Sequence, residues 1–64
     1  MILKRVKSIK IEMYCGKKYV IQKEGNDFIL YIEHEHFLKK EGIYTEFVEE
    51  FLSSINICKI EFNY

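Results

Sequence analysis

The chain has 64 residues, 48% hydrophobic and 16% aromatic, and ten basic side chains balance ten acidic ones, so the net charge is zero. A chain of this length makes one domain, residues 1–64, whose core buries only about 60% of the surface that the unfolded form exposes. The composition excludes intrinsic disorder, no apolar run reaches the roughly 20 residues of a membrane helix, and the even charge is unlike the clearly basic balance of most nucleic-acid domains.

The charge is even only in sum. Residues 1–23 hold seven cations against Glu12, a net +6, and residues 24–64 hold three lysines against nine acids, a net −6. Ala, Pro and Trp are absent, Arg5 stands alone beside nine lysines, and isoleucine occurs ten times. That bias is typical of AT-rich genomes and raises the expectation of a viral or mobile-element protein. Cys15 and Cys58 read as free thiols, because the first residues do not have the charged region followed by a long apolar run of a secretory signal, and a cytoplasmic location is expected.

In chain order, Ile9, Ile11 and Met13 alternate with Lys10, Glu12 and Tyr14, the period of a half-buried strand. A second strand is expected at Tyr19–Glu24 and a third at Phe28–Glu33, joined by a two-residue turn at Gly25 and Asn26. That turn pairs Glu24 with Asp27, Ile21 with Leu30 and Tyr19 with Ile32. An odd loop at Gly16–Lys18 would set Cys15 against Tyr19, Met13 against Ile21 and Ile11 against Lys23, keeping apolar residues on one face. The opposite face then carries Tyr14, Val20 and Tyr31 in a row with Ile29 diagonal to it, beside Lys10, Glu24 and Asp27.

Downstream, "EHFLKKEG" suits a helical turn ending at Gly42, with Lys39 and Lys40 in its last turn. Thr45 has the character of an N-cap, and Phe47, Val48, Phe51, Leu52 and Ile55 fall at helical spacing, so a helix should cover the inner face of the sheet. Ile57–Tyr64 alternates again and is expected to pair with the first strand. The fold class is therefore α+β: an antiparallel three-stranded meander, one amphipathic helix, and a final strand completing a four-stranded sheet.

Catalytic patterns are incomplete. His34 and His36 point the same way on an extended chain, and with Cys58 they are the weak candidates for a metal, but zinc requires a third and usually a fourth ligand. Cys15 lies beside Lys17 and Lys18, which favour a thiolate, yet a lone hairpin cysteine is more often a small hydrophobe. Gly16, Gly25 and Gly42 are isolated and build no phosphate loop. Neither an enzymatic activity nor a cofactor is expected.

Two binding functions fit. The first is a protein-interaction module that meets a copy of itself or a host protein through Tyr14, Val20, Ile29 and Tyr31. Its acidic side, including Glu46, Glu49 and Glu50, is suited to blocking a basic groove on a host factor such as a defence nuclease. The alternative is single-stranded nucleic-acid binding, with Lys4, Arg5, Lys7, Lys10, Lys17 and Lys18 on phosphates and Tyr14 and Tyr31 stacked on bases. Zero net charge weighs against it, as does the prospect of Lys10 pairing with Glu24 and Asp27.

Overall fold

Two glycines with left-handed backbone shape the first half of the fold. In the computed structural model, which describes residues 5–64, β1 (Ser8–Met13), β2 (Lys18–Glu24) and β3 (Asp27–Glu33) run as an antiparallel meander. Gly25 has φ +65° and Asn26 does not share its sign, which is the pattern of a two-residue II′ turn. The register this turn imposes is the expected one: Glu24 opposite Asp27, Ile21 opposite Leu30, Tyr19 opposite Ile32.

The β1–β2 turn sits two residues earlier than expected. The Met13 amide donates to the Lys17 carbonyl at 2.8 Å and the Gly16 amide to the Met13 carbonyl at 3.0 Å. Tyr14, Cys15 and Gly16 thus form the loop, with Gly16 at φ +91°, the three-residue hairpin that favours a left-handed glycine last. Ile21 therefore faces Ile9 rather than Met13, and Ile11 faces Tyr19 rather than Lys23. The loop is still odd, so each strand residue keeps its expected face and only its partner changes.

The expected helical turn before Gly42 is instead a strand, β4 (Leu38–Ile43), which pairs with β3. Its residues lack apolar spacing at three and four, and the edge of β3 offers hydrogen-bond partners that a single helical turn does not. The register shifts between Leu30 and Tyr31, which face Gly42 and Lys40, so Glu41 is an extra, bulged residue. The chain then forms α1 (Val48–Leu52) and β5 (Ile57–Asn63), and the sheet order is β4-β3-β2-β1-β5. The last strand pairs with β1 as expected, but the sheet has five strands rather than four.

The helix is shorter than its apolar spacing implied. Thr45 does not cap it: its hydroxyl accepts from the Phe28 amide at 2.9 Å and donates to Asp27 at 3.0 Å, tying the chain back to the start of β3. Ile55 falls beyond the helix, in the turn before β5, and is 92% exposed. What α1 covers is a compact core of Val6, Ile9, Ile11, Ile21, Phe28, Leu30 and Val48, with Tyr19, Tyr44, Phe51 and Leu52 around it. The Tyr19 and Phe51 rings meet edge to face at 5.5 Å. No polar side chain is buried among the described residues.

Candidate interaction surface

The face of the sheet away from α1 is built from three cross-strand rows. In sheet order they are Ile43–Ile29–Gln22–Ser8–Asn63, Lys40–Tyr31–Val20–Lys10–Glu61, and Leu38–Glu33–Lys18–Glu12–Lys59. The third row alternates acid and base over four strands, and Lys18 lies 3.9 Å from Glu12. Lys10 stands opposite Glu61 on β5 rather than near Glu24 and Asp27. The +6 and −6 halves of the chain are therefore interleaved on this face, because β1 is sandwiched between β2 and the acidic-half strand β5.

Less apolar surface is open here than alternation implied. Val20 and Ile29 retain only 5% of their surface each. Both lie in inner strands with neighbours on four sides. The Tyr31 hydroxyl donates to Glu24, so these two side chains together span the row holding Gln22 and Ile29. Glu24 accepting that hydrogen bond, helped by partial burial and by the carboxylate charge, holds the Tyr31 phenol above its usual 10.0. Tyr14 does not join this face at all: it left the ladder with the turn and is 74% exposed at the hairpin tip.

Of the basic candidates, Arg5, Lys7, Lys10, Lys17 and Lys18 are exposed, and Lys4 lies outside the described residues. Glu46, Glu49 and Glu50 are exposed in the turn before α1 and on it. A shallow groove of about 1040 Å³ runs past Lys10, Lys18, Val20, Gln22, Glu33 and Phe37. Both charge signs alternate along it, without the convergent polar groups of a substrate pocket.

His34 and His36 separate. The His34 amide donates to the Phe37 carbonyl at 2.8 Å, closing a tight turn whose tip is Glu35 and His36, and the His34 ring stacks on Phe37 at 4.5 Å. Cys58 is on β5, three strand spacings from β3, about 14 Å at the usual separation. Among the described residues no three His, Cys, Asp or Glu side chains gather where a metal ion fits. Cys15 and Cys58 are exposed free thiols.

Other exposed apolar side chains, which alternation did not single out, are Leu38 and Ile43 at the β4 edge of this same face, Phe37 before β4, Phe47 beside α1, and Ile55, Ile60 and Tyr64 before, on and after the last strand. Ile60 is the informative one. It faces Ile11 on the same side as α1 yet is 38% exposed, on an edge strand whose Ile57 and Phe62 do pack against the core. The final strand's alternation placed Ile60 inside, and the structure leaves it partly open at the sheet edge.

Comparison with protein-family models, curated proteins and solved structures finds no match for this chain. Among the described residues no helix is long and apolar enough to cross a membrane.

Proposed function

We propose that this protein is a non-enzymatic protein-interaction module that works as a homo-oligomer. The observation that carries this is the mismatch between a five-stranded sheet and the five-residue helix laid on it. Ile60 stays partly open on the helix side, Phe47 and Ile55 project into solvent, and among the described residues nothing pairs with the outer edges of β4 and β5. Exposed apolar side chains beside a strand edge are the usual ingredients of a protein contact. A chain this small gains disproportionately from burying them, since its own core is marginal. The contact surface is accordingly the last strand and its surroundings, rather than Val20 and Ile29.

A finer version, inhibition of a host factor with a basic groove, draws support from Glu46, Glu49 and Glu50, which form no ion pair with any described cation. Single-stranded nucleic-acid binding has less support: Tyr31 is engaged by Glu24, Tyr14 is off the sheet, and Lys10 and Lys18 stand opposite acids.

Size-exclusion chromatography with light scattering tests the oligomer. A dimer or larger species at micromolar concentration is expected, and a monomer up to submillimolar concentration would overturn the proposal.

A further inference from the structure

We propose that two copies join β5 to β5, antiparallel and centred on Ile60, to make one continuous ten-stranded sheet from two of five; this rests on the homo-oligomeric function proposed above and specifies its interface. Main-chain direction comes first. The Met13 amide donates to the Lys17 carbonyl on the β2 side and the next amide, Tyr14, to the Asn56 carbonyl on the β5 side, so the odd residues of β1 turn their peptide groups toward β2. The even ones are left for β5. Lys59, Glu61 and Asn63, which face Glu12, Lys10 and Ser8, therefore point their peptide groups at β1. Ile60 and Phe62 point theirs at the open edge.

Those open groups allow a second β5 only in registers that pair outward-facing residues with one another. Centring the two-fold on Ile60 exchanges both hydrogen bonds between Ile60 and its copy, and sets Lys59 of each chain opposite Glu61 of the other. Shifting the centre by one residue puts Glu61 against Glu61 or Lys59 against Lys59, which cross-strand electrostatics disfavour. In the Ile60-centred register the row Glu33–Lys18–Glu12–Lys59 continues into Glu61 and Lys10 of the second copy. Six charges then alternate in sign without a break.

On the other face the two partly exposed Ile60 side chains meet. Tyr64, also exposed, comes alongside the end of the second copy where the Tyr14 amide bonds to the Asn56 carbonyl and Ile55 projects. The other edge is less suited. β4 carries its bulge at Glu41, in mid-strand, whereas the β5 bulge at Cys58 lies outside the Lys59–Glu61 segment centred on Ile60.

Charge exchange tests the register. Lys59→Glu and Glu61→Lys each turn both intermolecular pairs into like pairs and should weaken dimerisation roughly tenfold, as expected for two reversed cross-strand pairs. Mixed one to one, the two variants are complementary at both pairs and should form a heterodimer close to wild-type affinity, read by sedimentation velocity with one variant labelled. Circular dichroism melts check that each variant folds.

A second probe does not depend on charge. In a Cys15→Ser/Cys58→Ser background, Ile60→Cys should form a disulfide-linked dimer on mild oxidation. Facing residues of a hydrogen-bonded pair lie about 5.5 Å apart at Cα, within disulfide reach. Ile55→Cys, more accessible but off the axis, should not. A wild-type dimer that ignores the charge variants, or that fails to cross-link at Ile60, overturns the β5 register and leaves the homo-oligomer standing. A monomer under all conditions overturns both.

Discussion

The Thr45 hydroxyl holds the Phe28 amide at 2.9 Å across 17 positions of sequence while donating to Asp27. One side chain thus anchors the chain leaving β4 to the first two residues of β3, and orders the approach to α1. Thr45→Val keeps the shape but leaves a part-buried amide without its acceptor, at a cost of about 1–3 kcal/mol. Thr45→Ser should recover most of it. Urea denaturation of the two variants measures the difference, and equal midpoints would rule out the anchoring role.

Tyr31 gives a pH prediction with a defined sign. Its phenol is raised above 10.0 in the folded state by the hydrogen bond to Glu24. The protonated form is the one favoured by folding, so this contribution is fully present below pH 10 and is lost as pH rises through the folded-state value. Tyr31→Phe should remove a tyrosine titration above pH 10 from the folded protein, as read by ultraviolet difference absorbance. It should also flatten the fall in stability above pH 10.

The three glycines should respond differently to alanine. Gly16 and Gly25 have φ +91° and +65°, with open space where a Cβ would project, so Gly16→Ala and Gly25→Ala suffer only from backbone strain, about 1–2 kcal/mol each. A Cβ at Gly42 would touch Tyr44 at 3.8 Å, an ordinary contact, with no left-handed φ. Gly42→Ala is expected to be neutral or to stabilise by up to about 1 kcal/mol. Thermal melts of the three single variants check the ranking.

Core and surface isoleucines provide the widest contrast. Ile21 is fully buried at the centre of the sheet, and Ile21→Ala should cost about 2–5 kcal/mol. That is a large share of the total for 64 residues, so much of the population should unfold. Ile55→Ala should lie within about 0.5 kcal/mol of wild type in a monomeric state. Chemical denaturation compared with amide exchange tests both.

The parts of this fold that could be read from sequence are those where a short turn and strict alternation agree. Gly25–Asn26 closes only one way, so the β2–β3 register followed from it residue by residue. At "YCGKK" the odd loop expected at Gly16–Lys18 is found at Tyr14–Gly16; both preserve the faces, and the Met13–Lys17 hydrogen bond selects the second. β4 was hidden because its bulge at Glu41 breaks the period of two and its side chains are largely solvated. For the candidate surface, alternation told which way Val20 and Ile29 point. It also set Tyr31 beside them, as observed, but did not reveal the hydrogen bond by which Glu24 ties that side chain across the face.

The pairing of β1 with β5 also bears on how the sheet assembles. Hairpins β1–β2, β2–β3 and β3–β4 join neighbours in sequence, whereas Met13 and Ile57 meet only after the 43 residues between them have been looped round. Local zippering is fast and long-range closure is slow. A chain paired only through β4 has β1, with Ile9 and Ile11, as an unguarded border, and during that interval intermolecular mis-pairing competes with correct completion. Refolding yield should therefore fall with chain concentration, even where the finished protein stays in solution.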